Sequence, residues 1–487
     1  MKGPEDSLKF VLFVDGTLLL ILASTMIIPM AVDAVTGNPD WQIFAGSAVA
    51  TVTIGGLLFF SCRSAHRPKR ARLGYLVTTS AWLFVSVFGS LPLLLCDLHL
   101  TFTDAFFETM SGLTTTGSTV IAGLDAQPYG LLLWRSLLQW FGGVGIVVMA
   151  IVLLPVLRTG GMQLFRTESS DISGKPVSRP MQMARITVIV YFGLTVLCAI
   201  CYGFAGMNAF DAINHAMTTL ATGGFSTKDA SIGFYDSVPI EVVGTVFMLA
   251  GAMPLIWYAR LLTERGRLAR PEGKQVPVLL AVFAFATLAI AVWNMHYAEM
   301  NFPFALRMAV FNVASVLTDT GFANSDFASW GSFPVGIFFV LLLIGGCAGS
   351  TSGAIKIFRW QILSSSILTQ LKLTIQPHRV LPVRYGHQAV EIQTVDAVRN
   401  FFALYIITLF VLSLLLMLTG VDFLSSISAV AQAMANAGPG LGEMGGPAGN
   451  FAGFPTFAKW VLILAMLLGR LEISTVYVLL LNDYWML

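Results

Sequence analysis

The sequence predicts an all-α membrane protein with ten transmembrane helices, in which two extra N-terminal helices precede four copies of one repeat. Three observations support this prediction. Hydrophobic residues make up 56% of the 487 positions and charged residues only 11%, whereas soluble domains carry about 25% charged residues. Apolar runs of about twenty residues recur along the chain. Four glycine turns, about 100 residues apart, lie in connections between the later runs.

Ten apolar runs are long enough to cross a hydrocarbon core about 30 Å thick. The first is too long for a typical cleaved signal segment and has no convincing small-residue cleavage site, so we expect it to be retained. The predicted spans cover residues 10–32, 42–62, 73–96, 131–156, 184–206, 238–262, 276–297, 333–362, 398–419 and 457–481.

The distribution of basic residues predicts the orientation of the chain. All but five of the 28 Lys and Arg residues lie on alternate connections or at the adjoining helix ends. Because such residues concentrate on the cytoplasmic side of membrane proteins, we expect both termini and the stretches 63–72, 158–185, 259–275 and 363–397 to be cytoplasmic, in a cell inner membrane. The five exceptions are Arg135, Lys228, Arg307, Lys459 and Arg470.

Four outer connections share one pattern, in which about a dozen apolar or small residues end in a glycine turn. The aligned glycines are Gly117, Gly223, Gly321 and Gly438. A helix of a dozen residues is about 18 Å long, roughly half the core thickness, so each should enter the membrane from outside and turn back. The chain then divides into two extra N-terminal transmembrane helices (1–68) and four pseudo-symmetric repeats of helix, re-entrant half-helix and helix (M1-P-M2), at 69–160, 161–266, 267–378 and 379–487.

Such turns have the chemistry of a cation site. Non-helical backbone at membrane depth is tolerated only where it is buried in protein or lines water. Glycine reaches positive φ without a Cβ clash, so four turns around one axis present rings of carbonyl oxygens that replace an ion's hydration shell. The negative ends of the half-helix dipoles point at the turns and favour a cation. The alternative is four interfacial loops without a pore.

These segments resemble the Trk/Ktr/HKT superfamily of potassium transporters, and most closely its bacterial TrkH/TrkG branch. The resemblance covers nearly the whole chain and includes the two extra N-terminal helices. It is based on residues 113–120 (LTTTGSTV), 221–228 (ATGGFSTK), 344–357 (IGGCAGSTSGAIKI), 436–443 (NAGPGLGE) and 468–474 (LGRLEIS).

The resemblance implies a selectivity filter for K⁺ as the transported ion, with Na⁺ or H⁺ as alternative ions and no covalently bound cofactor. The single glycine per turn suggests a shorter, less selective filter than that of a potassium channel. Asp319 departs from the expected Thr or small residue: its carboxylate either strengthens cation binding or recruits sodium, or it points away and caps an amide. The implied filter residues are Thr115, Thr116, Gly117, Ala221, Thr222, Gly223, Asp319, Thr320, Gly321, Asn436, Ala437 and Gly438.

The predicted span 333–362 has an unusual centre. Its first half is apolar, but residues 345–354 are small, polar and poor helix formers at what should be mid-membrane depth. They form either a broken helix whose loop gates the pore, as the resemblance also implies, or a surface for close helix packing. The gate residues are then Gly345, Gly346, Gly349, Ser350, Thr351, Ser352, Gly353, Lys356 and Arg470.

Arg470 lies deep in the predicted span 457–481, with Glu472 two residues further on. Charges inside a membrane cost several kcal/mol unless they face a cavity or a partner, and residues two apart on a helix do not face each other. Arg470 is either a cation barrier below the filter, as the resemblance implies, or one partner of a structural ion pair. For Glu472 we expect a structural role.

The leading hypothesis is potassium uptake through a channel-like pore. The alternatives are a sodium- or proton-coupled symporter, which the sequence does not separate from such a pore, and a less selective K⁺/Na⁺ transporter. An enzyme is disfavoured, because the sequence shows no intramembrane cluster of catalytic or ligating residues. We interpret the pair Cys198 and Cys201 as two small apolar residues on a helix and not as a redox or metal pair. A purely structural subunit would not need four matched turns. The resemblance implies a homodimer and a TrkA-type cytosolic nucleotide-binding regulatory subunit. Membrane lipid is a further expected partner. No nucleic-acid partner is expected, because a net charge of +2 gives no general attraction to nucleic acid.

Overall fold

The computed structural model describes residues 4–63, 73–152, 179–258, 274–386 and 388–486. In these ranges the protein consists of helices and short 3₁₀ turns, together with one antiparallel hairpin of β1 Arg384–Tyr385 and β2 Gln388–Ala389. The α-helices are α1 Pro4–Thr36, α2 Trp41–Cys62, α3 Leu73–Gly89, α4 Leu91–Leu95, α5 Phe102–Leu113, α6 Tyr129–Val152, α7 Arg179–Phe204, α8 Ala209–Leu220, α9 Val238–Ala252, α10 Gln275–Tyr297, α11 Phe302–Leu317, α12 Ser332–Leu342, α13 Ile357–Ile375, α14 Ile392–Met417, α15 Phe423–Ala435, α16 Thr456–Arg470, α17 Ile473–Leu479 and α18 Asn482–Met486.

The first two helices, α1 and α2, pack closely against each other. Gly16 of α1 faces Gly55 of α2, and a Cβ on Gly16 would lie only 2.9 Å from the Gly55 carbonyl oxygen. In a membrane, lipid is as apolar as the side chains, so there is little hydrophobic driving force between helices. Small residues at the contact then let the two backbones approach closely and pack. The pair is joined to the first repeat by Asp33, whose Oδ1 accepts the Gly130 N–H at 2.7 Å at the start of α6. This bond satisfies one of the unpaired donors of that helix end.

Each of the four predicted repeats contains one short helix, and all four helices begin in the same way. The helices α5, α8, α11 and α15 have 12, 12, 16 and 13 residues, as expected for the predicted half-helices. A polar side chain precedes each helix and accepts the N–H of the residue three positions on, which satisfies an unpaired backbone donor. The residues of their last two turns are nearly all buried, so the longer helices enclose them. The four capping residues are Thr101, Asn208, Asn301 and Asp422.

The protein has several membrane-spanning helices. Among the described residues, six helices are long and apolar enough to cross a bilayer, or seven if the bent pair α16 and α17 counts as one span. The figure of ten spans stays a prediction. So does the orientation, because most of the basic connections on which it depends, 64–72, 153–178 and 259–273, lie outside the described residues.

Two predicted spans are interrupted. The run 333–362 is divided into α12 and α13, and α13 continues well past the predicted end. The run 457–481 is wrong as one continuous span, because α17 leaves the end of α16 at a 110° bend. Glu472, at this bend, has a φ of +66°, which no residue adopts inside a right-handed helix. Arg470 therefore lies at the end of a helix and not at its centre.

Candidate functional site

The four short helices end in turns with the same backbone path. The first residue of each turn has φ between 50° and 59°, a left-handed conformation that non-glycine residues rarely adopt. The second donates its N–H to a carbonyl five residues earlier, and the third is a glycine with φ between 75° and 91°. The turns are Thr115, Thr116 and Gly117; Thr222, Gly223 and Gly224; Asp319, Thr320 and Gly321; and Asn436, Ala437 and Gly438.

The second turn corrects the sequence alignment by one residue. The alignment predicts Gly223 as the turn glycine, but the glycine with positive φ is Gly224. Gly223 occupies the middle position of the turn, and Ala221 caps the end of α8 instead of lying in the turn. Two adjacent glycines allow either register, whereas the first and third turns contain a single glycine. Thr222 likewise moves from the middle to the first position of its turn, and the predicted filter residues of the other three turns lie as aligned.

The turns contact one another in chain order and close into a ring. A Cβ on the glycine of each of the first three turns would overlap the carbonyl oxygen of the middle residue in the next turn, and a Cβ on Gly438 would lie 3.1 Å from the Thr116 carbonyl oxygen of the first. Only glycine permits this approach. The successive contacts are Gly117 to Gly223, Gly224 to Thr320, Gly321 to Ala437 and Gly438 to Thr116. Every turn thus has a carbonyl oxygen beside its neighbour's glycine.

Side chains of the first repeat hold the second turn in place. The Gln139 amide on α6 donates to the Gly223 carbonyl at 2.5 Å, and its oxygen accepts the Phe225 N–H at 3.0 Å. Arg135, also on α6, forms a fully buried ion pair with Glu108 of α5 at 2.8 Å. The same guanidinium lies over the Phe225 ring, 4.1 Å from its centre. These contacts between α5, α6 and the second turn are not among those predicted from the sequence.

Four of the five basic residues that depart from the cytoplasmic pattern form ion pairs. Arg135 pairs within the first repeat, and the other three pairs join different repeats. The sequence feature that could have identified them is an acidic residue at or near a predicted outer connection of a neighbouring predicted repeat. The pairs between repeats are Lys228 with Asp125 at 3.5 Å, Arg307 with Glu241 at 2.8 Å and Lys459 with Asp104 at 2.6 Å. Charges that do not fit the orientation pattern therefore connect the predicted repeats near the capped ends of the short helices.

The segment 345–354 is a loop between α12 and α13, so close packing of a continuous helix is wrong for it. This loop contains all the predicted gate residues except Lys356 and Arg470, and Lys356 immediately precedes α13. Thr351 lies against the second turn. Its hydroxyl donates to the Leu220 carbonyl at 3.0 Å and accepts the Thr222 hydroxyl at 3.2 Å.

The loop also bonds to the third and fourth repeats. The Ser352 hydroxyl donates to Asp319 Oδ2 at 2.5 Å, so the carboxylate of the third turn bonds to the loop. The Ala354 N–H donates to the Ala435 carbonyl at 2.9 Å, next to the fourth turn. The loop therefore contacts residues of three turns or the helix ends that lead into them.

Arg470 bonds to backbone carbonyls. Its guanidinium donates to the Thr351 carbonyl at 3.1 Å and to the Gly142 carbonyl at 3.2 Å. No carboxylate in the described parts of the chain forms an ion pair with it. The structural ion pair is instead Glu472 with Arg359, at 2.5 Å. Arg470 therefore joins the loop to the first repeat through backbone contacts, and the structural role expected for Glu472 is confirmed.

The chain is similar to known transport proteins over almost its full length. A family model described as TrkH, cation transport protein, matches residues 41–484. The Trk system potassium uptake protein TrkI of Halomonas elongata is 42% identical, covering 98% of this chain and 96% of the relative. The TrkH protein of Escherichia coli is 36% identical, covering 96% and 98% respectively.

A solved structure has the same fold. The crystal structure of the potassium transporter TrkH from Vibrio parahaemolyticus superposes with a TM-score of 0.91, at 35% identity, covering 99% of this chain and all of that one. The relatives are named as subunits of transport systems, so the chain is a transport protein and not an enzyme. It belongs to the TrkH family of cation transport proteins.

Proposed function

We propose that this chain is the membrane subunit of a Trk-type potassium uptake system, and that K⁺ crosses the membrane through a pore lined by the four turns. The observation that carries this proposal is the ring of contacts in which each turn glycine lies against a carbonyl of the next turn. The names of the relatives, potassium uptake proteins and a potassium transporter, support the choice of ion.

The proposed architecture has ten spans, with four re-entrant half-helices around one pseudo-fourfold axis and the two extra helices outside it. Three features support re-entry: the half-helices are short, capped at one end and buried towards the other. Each directs the negative end of its dipole at the turn. The basic connections support cytoplasmic termini and an inner-membrane location.

The carbonyl oxygens of the turns are the proposed ligands of K⁺, since they can replace its hydration shell without strong charge. The middle residues Thr116, Gly223, Thr320 and Ala437 supply one ring of such oxygens. The Gly223 carbonyl already accepts the Gln139 amide, but a carbonyl oxygen has two lone pairs and so retains one for an ion. This unequal ring agrees with a filter of moderate selectivity.

The 345–354 loop is the proposed gate. Its bonds to residues of the second, third and fourth repeats, and the Arg470 guanidinium that donates to Thr351, support a state in which the loop blocks the path below the turns. Opening then requires these bonds to break together. Shortening the loop should raise flux in a protein that remains folded.

The proposed assembly is a homodimer that works with a TrkA-type cytosolic nucleotide-binding subunit. The helix α13 supports a route for regulation, because it continues directly from the loop to Ile375. Its later turns expose Ile367, Leu368 and Leu371. A partner that binds this helix would pull on the loop.

Reconstitution into liposomes tests the function. With the protein alone, K⁺ flux should follow the K⁺ gradient and the membrane potential, without any Na⁺ or H⁺ gradient. Flux that requires a Na⁺ or H⁺ gradient would establish a symporter instead. Equal Na⁺ and K⁺ flux, or flux no greater than in protein-free liposomes, would contradict a potassium pore.

A further inference from the structure

One buried side chain on each short helix holds the segment that follows its turn. It lies nine or ten residues before the turn glycine, and its partner lies two or three residues after that glycine. The bonds are Glu108 with the Val120 N–H at 2.8 Å, His215 with the Ser226 hydroxyl at 3.0 Å, Asn312 with the Asn324 side chain at 2.6 Å and Ser428 with the Leu441 N–H at 2.9 Å. The same place in each predicted repeat therefore makes the same kind of contact, and we call these four residues the supporting side chains.

In the second repeat the supporting side chain is an imidazole, and both of its nitrogens are bonded. Nδ1 of His215 lies 2.8 Å from the Asp211 carbonyl oxygen. Since a carbonyl oxygen only accepts, Nδ1 carries the hydrogen, and Nε2 of the neutral ring then accepts the Ser226 hydroxyl. The Ser226 hydroxyl oxygen in turn accepts the Lys228 N–H at 3.0 Å. His215 therefore holds the backbone after the second turn through a single hydroxyl.

Aromatic rings fix the orientation of the His215 ring. Tyr235 lies edge-on to it, with 5.7 Å between the ring centres, and Tyr202 lies at 6.4 Å. Phe322, at 5.9 Å, belongs to the third repeat and directly follows Gly321 of the third turn. The histidine is thus packed between the segment after the second turn and the residue after the third turn.

A buried histidine with both nitrogens bonded is often only part of a protein core. His215 differs because it contacts two neighbouring turns, and because its position supports the turn in every predicted repeat. Ser226 is three residues beyond Gly223, whose carbonyl oxygen is a proposed potassium ligand. A ring of ligands discriminates between ions only if surrounding side chains hold it close to its binding geometry. A shift at Ser226 would therefore reach a ligand of the ion.

We propose that His215 is a positioning residue for potassium selectivity, which acts through the bond between its Nε2 and Ser226. It contacts no ion itself. The bond to Asp211 stays within α8 and orients the ring, whereas the bond to Ser226 holds the turn. This inference rests on the proposed filter and adds a residue behind the turns on which its selectivity depends.

Two amide substitutions separate the two ring bonds. Glutamine places its amide where Nε2 lies and can bond to Ser226, whereas asparagine reaches only the position of Nδ1. In liposomes with matched K⁺ and Na⁺ gradients, His215→Gln should keep the wild-type ratio of K⁺ to Na⁺ flux. His215→Asn should lower this ratio by about fivefold, which corresponds to the loss of one hydrogen bond. The control His296→Asn changes an exposed histidine of α10 and should keep the wild-type ratio.

Removing the partner hydroxyl tests the same bond from the other side. Ser226→Ala should lower the flux ratio at least as much as His215→Asn. The variant with both substitutions should show no further loss beyond Ser226→Ala, because the two side chains share one bond.

Unfolding temperatures of the same samples distinguish positioning from a general role in the core. A core residue would lower the unfolding temperature and the total flux but leave the flux ratio unchanged. Equal ratios in the folded His215→Gln and His215→Asn proteins, or a further loss in the double variant, would overturn the role of His215. If His215→Asn does not fold, a wild-type ratio in Ser226→Ala would overturn it. A wild-type protein without K⁺ preference would contradict the proposed filter itself, and with it this role.

Discussion

Replacing Gly224 with alanine adds one methyl group at the contact between the second and third turns. Gly224 has a φ of 75°, and this left-handed conformation costs alanine about 1–2 kcal/mol. The new Cβ would also overlap the Thr320 carbonyl oxygen, so the third turn has to shift. Gly37→Ala is a matched control, because Gly37 has a φ of 76° and nothing within 4 Å of its Cβ position.

Thermal unfolding and cation flux in liposomes, measured on the same samples, separate the two effects. Both variants should lose the stability that the backbone conformation costs, but Gly37→Ala should keep the wild-type ratio of K⁺ to Na⁺ flux. Gly224→Ala should lower that ratio by about tenfold, which corresponds to about 1.4 kcal/mol of discrimination. A wild-type flux ratio in a folded Gly224→Ala protein would refute the carbonyl ring as the filter.

Three further changes test the gate, the ion pair and the orientation. Arg470→Ala removes a charge that, at about 6 Å from an ion and an effective dielectric constant of about 20, is worth roughly 3 kcal/mol before screening, so rubidium flux should rise. Lower flux together with a lower unfolding temperature would show that Arg470 is structural. Glu472→Gln removes the carboxylate that pairs with the buried Arg359 and should cost about 3 kcal/mol in denaturant unfolding. Asp396→Asn, in an exposed pair, should cost less than about 1 kcal/mol, and equal losses would contradict this. A cysteine at position 69, in a cysteine-free background, should resist an impermeant reagent applied outside sealed cells, and labelling there would reverse the orientation.

Much of the fold follows from local sequence patterns. The short helices are visible because their capping residues, their length and a glycine such as Gly117 or Gly321 all lie within about twenty residues. The break at 345–354 is visible because small polar residues are poor helix formers. These features depend on residues that lie close together in the sequence, so one sequence is enough to predict them.

Other features depend on contacts between repeats and were missed or misplaced. The register of the second turn is set by the approach of Gly224 to Thr320, and the sequence shows only two adjacent glycines. The bend after Arg470 follows from partners more than 100 residues away: Arg359 holds Glu472, and Thr351 accepts from Arg470. The apolar run 457–481 contains no proline or glycine pair that would mark this bend.

The central claim is that K⁺ binds between the carbonyl oxygens of the four turns. Rubidium scatters anomalously and substitutes for potassium, so diffraction from crystals grown in rubidium chloride locates the ion. The account predicts the strongest rubidium peak inside the ring, in contact with the carbonyl oxygens of Thr116, Gly223, Thr320 and Ala437, and its loss when K⁺ but not Na⁺ is added. A strongest peak elsewhere in the chain, with none between the four turns, would contradict it.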